Sequence, residues 1–233
     1  MSNQYPETDE TNPAAVKLFN NAWAALEAEL GADKLAFPPA LYWLNGAPGA
    51  GKGTQTPVIL EMLGLTAQPL VMSDLFKTPE MKAIMATGKL IDDETVFGLL
   101  LRALLKPEYA NGVIVDGFPR SAGQVACLKL FAKKLAATQA KPTKFGLVML
   151  YVGEKESVER QLKRGREMQA AGLPVRSTDV DPEKTLVRYK EFADKTLGPI
   201  ETLDGVFPYY KINSLGSIEE TAAEIRKVLA AAK

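Results

Sequence analysis

The sequence predicts an α/β fold with a central parallel sheet of five strands flanked by helices. Short apolar or β-branched runs recur along the chain, and segments with helical spacing separate them. Strands that alternate with helices in this way are typical of a parallel sheet with helical crossovers. The chain has 233 residues, which is enough for one well-buried core with small insertions. The expected strands are residues 41–44, 69–72, 112–115, 145–152 and 209–212.

The first expected element is a helix that begins at Asn12 and Pro13 and ends at Gly31. Proline is favoured at the first position of a helix and glycine just after its last one. Apolar residues follow one helix face between these points, at Val16, Phe19, Trp23, Leu26 and Leu30. We therefore predict that residues 1–36 form an extension with one helix and no chemistry of its own. Residues 37–233 are expected to form the main domain.

The composition argues against several classes of function. The chain has 28 basic and 28 acidic residues, so no overall field attracts it to nucleic acid or to a membrane. No segment has the length of a membrane span, and the polar N-terminus does not resemble a signal peptide. A single cysteine, Cys127, indicates a reducing compartment, and the absence of histidine removes the usual general base and most zinc sites. We expect a cytoplasmic monomer without zinc.

A glycine-rich string follows the first expected strand, and we call residues 46–54 the phosphate loop. It reads Gly-Ala-Pro-Gly-Ala-Gly-Lys-Gly-Thr. A strand that turns through glycines into a helix leaves backbone N–H groups around a phosphate-sized space, and the helix N-terminus adds positive charge there. The lysine of such a loop, Lys52, reaches the β- and γ-phosphates of a nucleotide. The loop therefore predicts a nucleoside triphosphate site, whereas the alternative is a glycine-rich turn with a solvated lysine.

Two features of this loop and its helix depart from the general pattern. Gly53 occupies the place of the usual Ser or Thr that ligates Mg²⁺, and the hydroxyl comes one residue later, at Thr54. We expect Mg²⁺ to be held mainly by phosphate oxygens and water, with no direct protein ligand. Pro57 lies inside the expected helix, where it removes a hydrogen bond and crowds the carbonyl of Gly53. A kink or a short first helical segment is expected there.

A second string joins a carboxylate to an arginine. The apolar run Val113–Val115 is followed directly by Asp116. A carboxylate at the end of such a strand is expected to lie beside Mg²⁺ and its water molecules. Gly117, Phe118 and Pro119 follow, and then Arg120, whose planar guanidinium suits bidentate phosphate binding. The phosphate loop and the Asp-Gly-Phe-Pro-Arg string together resemble the adenylate kinase family of nucleoside monophosphate kinases.

The resemblance implies a P-loop kinase fold that uses ATP and Mg²⁺ to phosphorylate AMP, giving two ADP. Two segments do not fit a simple helical crossover between strands. About residues 73–106 match the family's helical insert for the monophosphate, which we call the insert. About residues 164–187 match its short lid without zinc, which we call the lid. The implied catalytic residues are Lys52, Asp116, Arg120, Arg164, Arg176 and Arg188. The implied ATP contacts are Gly49, Ala50, Gly51, Lys52, Gly53, Thr54, Arg160, Arg164 and Gly216.

The identity of the acceptor nucleotide is the least determined part of this prediction. Gln124 matches the family's adenine-reading glutamine, and residues 88–94 resemble the loop that packs on the acceptor base. Met72, Ser73 and Lys77 differ from the family's Thr, Gly and Arg, so a kinase for UMP, CMP or another monophosphate is an alternative, as is an inactive ATP-binding regulator. The implied acceptor contacts are Met72, Ser73, Lys77, Lys89, Leu90, Ile91, Gly117, Phe118, Arg120, Gln124, Arg176 and Arg188.

Overall fold

The computed structural model describes residues 4–87 and 89–231. Over these residues, five parallel strands form one sheet in the order β2-β3-β1-β4-β5. The prediction of an α/β fold with a five-stranded parallel sheet is confirmed. The strands are β1 (Ala40–Gly46), β2 (Leu70–Val71), β3 (Val113–Asp116), β4 (Lys144–Tyr151) and β5 (Tyr209–Asn213).

Helices connect the strands and cover the sheet. The α-helices are α1 (Pro13–Leu30), α2 (Lys52–Leu63), α3 (Pro79–Ala86), α4 (Asp93–Leu104), α5 (Ala122–Thr138), α6 (Glu154–Ala170), α7 (Pro182–Phe192), α8 (Gly198–Glu201) and α9 (Ile218–Ala230). Short 3₁₀ segments span Pro6–Thr8, Ala32–Lys34, Met72–Leu75, Pro107–Tyr109 and Ser177–Asp179, and a π-helical turn spans Ala193–Leu197. None of the described helices combines the length and the apolar character that crossing a membrane requires.

The central strands are buried on both faces, which explains why their sequences are nearly continuous apolar runs. Leu41, Trp43 and Leu44 of β1 are fully buried, and β1 pairs with β3 on one side and with β4 on the other. Because the strands are parallel, the loops that follow β1 and β3 leave the same edge of the sheet. The phosphate loop and the turn after Asp116 are thereby brought together.

The N-terminal helix begins and ends where its sequence predicts. The Asn12 side chain accepts hydrogen bonds from the N–H groups of Ala14 and Ala15, and Gly31 ends the helix with a φ of 90°. The Trp23 ring lies 6.4 Å from that of Phe131 on α5 and 5.6 Å from that of Phe37. Helix α1 therefore contributes to the same hydrophobic core as the main domain. The boundary at residue 36 stays a prediction.

Helix α2 continues through Pro57 from Lys52 to Leu63. The expected short first segment is therefore wrong, and the kink stays a prediction. The Thr56 hydroxyl donates a hydrogen bond of 2.8 Å to the Lys52 carbonyl, which supplements the first turn just before the missing N–H of Pro57. Pro57 lies beyond the unpaired N–H groups of the first turn, so it removes the one backbone hydrogen bond that the Gly53 carbonyl would accept, and the helix continues despite that loss.

Candidate active site

The phosphate loop approaches its neighbours so closely that side chains are excluded at two positions. A Cβ atom at Gly46 would lie 2.5 Å from the Leu150 carbonyl oxygen, and one at Gly49 would lie 2.7 Å from the Ser157 carbonyl oxygen. Both residues also have positive φ angles, 148° and 76°. Glycine is required at both positions because it has no Cβ and adopts this backbone conformation without strain.

The Lys52 side chain lies over this loop. Its ammonium donates hydrogen bonds to the carbonyls of Gly46 (2.7 Å) and Ala47 (3.1 Å). Burial lowers the pKa of Lys52 to about 8; Asp116 acts in the opposite direction, and Arg120, Arg188 and Arg164 lower it further. A lysine that is held close to other cations without a matching number of anions is poised to bind an anion.

Four of the predicted catalytic cations line one cavity of about 420 Å³ between the phosphate loop, the insert and the lid: Lys52, Arg120, Arg176 and Arg188. Lys82 and Lys89 line it as well. Burial lowers the pKa of Arg188 to about 9, Arg176 and Arg120 lower it further, and Asp179 acts against them. The pKa of Arg120 is also lowered, by burial first and by Arg176, while Asp116 raises it. The cavity therefore holds concentrated positive charge that suits a polyphosphate.

Asp116 brings a carboxylate into this cavity at the end of β3. Its Oδ1 atom is buried and has no hydrogen-bond partner within residues 4–87 and 89–231. A buried acceptor of this kind fits a role in orienting water on a phosphate-bound Mg²⁺. Within the same ranges, no cluster of three or more His, Cys, Asp or Glu side chains is arranged to hold a metal ion. The absence of zinc stays a prediction.

Asp179 organises two of the predicted arginines from the lid. Its side chain is 1% exposed and accepts hydrogen bonds from Arg164 Nε (3.0 Å) and Nη2 (2.6 Å) on Oδ2. Arg188 Nη1 donates to the other oxygen at 3.3 Å and to Gln161 Oε1 at 3.1 Å. Arg188 therefore faces the cavity, whereas the structure places Arg164 beside it on Asp179.

Arg160 lies away from the cavity and links α6 to the segment after β5. Its guanidinium pairs with Glu156 at 2.5 Å and donates to the carbonyls of Ser214 (2.8 Å), Leu215 (3.1 Å) and Gly216 (3.4 Å). The structure thus brings the predicted ATP contacts Arg160 and Gly216 together, in direct contact with each other and outside the lined cavity.

The predicted acceptor contacts fall into three groups. Ser73, Lys89 and Leu90 line the cavity together with the arginines. Met72, Ile91 and Phe118 are buried in the hydrophobic core, and Gly117 accepts a hydrogen bond of 2.9 Å from Arg120 Nε. Lys77 is exposed and does not line the cavity, and Gly88 lies outside the described residues.

Comparison with known proteins agrees with this geometry. A family model described as adenylate kinase matches residues 44–205. The adenylate kinase of Azorhizobium caulinodans is 34% identical over 197 residues, which cover 77% of this chain and 98% of the relative. The adenylate kinase of Xanthobacter autotrophicus is 34% identical over 204 residues, which cover 81% of this chain and 97% of the relative. That of Brucella melitensis is 32% identical over 194 residues, which cover 80% of this chain and 96% of the relative.

The chain belongs to the adenylate kinase family. It is therefore a phosphotransferase of the nucleoside monophosphate kinase type, and ATP and Mg²⁺ are the general requirements of that family. Helix α1 precedes the range that the adenylate kinase model matches.

Several residues of this adenylate kinase site were not among the predicted contacts. Thr196 donates a 2.6 Å hydrogen bond to the Arg120 carbonyl, and Asn45 donates one of 2.6 Å to the Pro119 carbonyl, so the two brace the Arg120 turn. Asn45 was detectable, as a polar residue at the end of an otherwise apolar strand. The others have no local signal. The remaining cavity residues that were not predicted include Phe76, Lys82, Met85, Glu191 and Phe192.

Proposed function

We propose that the protein catalyses the reversible, Mg²⁺-dependent transfer of the γ-phosphate of ATP to AMP, giving two ADP. One observation carries the proposal: Lys52, Arg120, Arg176 and Arg188 surround a single cavity where the phosphate loop, the insert and the lid meet. Two nucleotides that meet through their phosphates bring several negative charges to one place, and the four cations match that charge.

On the donor side, the N–H groups of Gly49, Ala50, Gly51, Gly53 and Thr54 are proposed to hold the triphosphate. The Lys52 ammonium would exchange its two loop carbonyls for phosphate oxygens. Mg²⁺ bound with ATP supplies further neutralisation of phosphate charge, and Asp116 is the residue that would orient its water molecules. Arg160, Arg164 and Gly216 complete the proposed donor contacts.

On the acceptor side, Arg120 is proposed to clamp the phosphate of the monophosphate, with Arg176 and Arg188 beside the group in transfer. A bond forms between an acceptor phosphate oxygen and the γ-phosphorus, while the bond from that phosphorus to the β–γ bridging oxygen breaks. The attacking oxygen is already ionised, so no general base is needed. Closing the lid excludes water, which is a competing acceptor.

One hydrogen bond joins the proposed lid to the proposed insert. Ser177 Oγ donates to the Ala86 carbonyl at 3.4 Å, and both residues line the cavity. This contact supports the proposed water exclusion, since it joins the two segments that cover the phosphates. We further propose that the protein acts as a cytoplasmic monomer on free nucleotides.

A second candidate is a kinase of the same fold that prefers UMP, CMP or another monophosphate. It is favoured by the position of Gln124, which is 2% exposed, does not line the cavity and has both ends of its carboxamide hydrogen-bonded within the protein. Reading adenine requires this side chain to use its remaining donor and acceptor capacity, or to shift.

Initial rates with MgATP and each of AMP, CMP, UMP, GMP and dTMP test both candidates. We expect ADP formation to be fastest with AMP. A clear preference for another monophosphate would support the second candidate. Tight ATP binding without transfer to any of the five would refute kinase activity and indicate a binding protein.

A further inference from the structure

A partly buried polar cluster joins the insert to the turn that carries Arg120. Asp93 is the first residue of α4 in the insert, and its Oδ1 atom accepts hydrogen bonds from Ser121 Oγ (2.6 Å) and Gln124 Nε2 (2.9 Å). Gln124 Oε1 in turn accepts a hydrogen bond of 2.8 Å from the backbone N–H of Arg120. The chain of contacts therefore runs from Asp93 through Gln124 to Arg120.

The two partners determine which way the Gln124 amide points. A carboxylate can only accept a hydrogen bond, and a backbone N–H can only donate one. The amide nitrogen must therefore face Asp93 and the amide oxygen must face Arg120. The reversed orientation would place like groups together at a side chain that is 2% exposed, where an unmatched polar group is costly.

Asp93 reaches this position because residue 123 has no side chain. A Cβ atom at Gly123 would collide with Asp93 Oδ2. Helix α5 thus presents a bare backbone where the carboxylate enters, between its cap residue Ser121 and Gln124. Because α4 carries Asp93, the position of α4 sets where the carboxylate meets the Gln124 side chain that holds the Arg120 backbone.

We propose that Asp93 is a positioning residue that acts through Gln124 to place Arg120, and that it couples the acceptor side of the site to the position of the insert. The proposal rests on the proposed function, in which Arg120 binds the acceptor phosphate. Asp93 does not line the cavity and makes none of the contacts assigned above to either nucleotide. Its loss should therefore weaken acceptor binding and leave ATP binding unchanged.

The first test compares Asp93→Ala and Gly123→Ala with the unmodified protein. The first variant removes the carboxylate and the second displaces it. We expect the KM and the Kd for AMP to rise about ten-fold, as for a buried hydrogen bond left unpaired, and those for ATP to stay within about two-fold. The matched control is Asn12→Ala, which removes the N-cap of α1, a helix outside the site (Asn12 Oδ1 accepts from the Ala14 N–H at 3.0 Å). It should lower the melting temperature without changing either nucleotide's KM.

The second test exchanges the polarity of the pair. Asp93→Asn retains an oxygen that accepts from Ser121 and Gln124, so its KM for AMP should stay within about three-fold of the unmodified value. Gln124→Glu places two carboxylates together and should raise that KM at least as much as Asp93→Ala. In the double variant, Asp93→Asn with Gln124→Glu, an Asn amide again faces a carboxylate oxygen. Its KM for AMP should be lower than that of Gln124→Glu alone.

Three results would overturn the proposal: an AMP affinity unchanged in Asp93→Ala and Gly123→Ala, an equal loss of ATP affinity, or a double variant no better than Gln124→Glu. Direct titration of the protein with AMP and with ATP measures both Kd values without any need for catalysis. An unmodified protein that binds both nucleotides but transfers no phosphate would contradict the proposed reaction and leave the binding test of Asp93 decisive.

Discussion

Replacing Asp179 with Asn should disable the lid side of the site while leaving the side chain's shape almost unchanged. In the structure Asp179 accepts two hydrogen bonds from Arg164 and one from Arg188. An Asn side chain has one oxygen, so it can serve one arginine, and its NH₂ group then faces the other. Both guanidinium groups also lose their shared negative charge, and Arg188 lines a cavity that already holds Lys52 and Arg120.

The magnitude follows from how deeply each arginine lies. Arg164 is 42% exposed and can turn to water, so its lost ion pair costs at most about 1 kcal/mol. Arg188 is more buried, and the loss of a charge-assisted hydrogen bond there costs about 2 kcal/mol. A total near 3 kcal/mol lowers the melting temperature by roughly 6–12 °C for a chain of this size. A displaced arginine beside the transferring group lowers kcat about 100-fold.

The assay is the initial rate of ADP formation from MgATP and AMP at saturating concentrations, paired with thermal unfolding. The matched control is Asp204→Asn, which weakens an ion pair with Lys211 whose two side chains are 50% and 59% exposed, so kcat and stability should barely change. A kcat for Asp179→Asn within about two-fold of the unmodified protein would refute the assigned role of Asp179.

Three further predictions concern Lys52, helix α1 and the lid. The pKa of Lys52 is about 8 without ligand, and the binding of a phosphate raises it. ATP affinity should therefore fall as the pH rises above about 8, and calorimetry should detect proton uptake on binding. An ATP affinity that is independent of pH up to about 10 would contradict this. Trp23→Ala should lower the free energy of unfolding in urea by about 3 kcal/mol with an unchanged kcat, since the indole packs in the core and does not line the cavity. A proportional loss of kcat would contradict a purely stabilising role of α1. Gly165→Ala should lower stability by about 1–3 kcal/mol and reduce kcat, because the new methyl group would collide with the Asp179 carbonyl. Gly153→Ala is the control, since a Cβ atom there meets no atom within 4 Å. Equal effects of the two substitutions would refute the close approach of Gly165 to Asp179.

The phosphate loop and the Asp116–Arg120 turn were predictable because their information is local. The phosphate loop needs consecutive glycines, a lysine and a strand before them, and all of these are adjacent in the chain. The same holds for Asp116 and Arg120, which are separated by a short turn at the end of β3. Strand–turn–helix geometry then follows from backbone sterics alone.

The rest of the site was less predictable because its residues meet only across distant segments. Lys77 and Lys89 were the expected cations of the insert. Lys89 lines the cavity, but Lys82 does so in place of Lys77, since the 3₁₀ turn and the start of α3 set which side faces inward. Gln124 was expected to face a base, but Asp93, thirty-one positions earlier, engages its amide. Arg164 was expected beside the phosphates, but Asp179 holds it at the cavity's side.

The sequence by itself determined the fold class, the triphosphate loop and the family, because each depends on residues that are neighbours in the chain and on the period of apolar positions. The tertiary structure alone decided which arginines reach the cavity and which carboxylates hold them. These arrangements depend on long side chains with many rotamers, whose final positions follow from partners on other elements and from burial. A guanidinium binds whichever acceptor the fold brings near it, and the order of residues along the chain does not specify that acceptor.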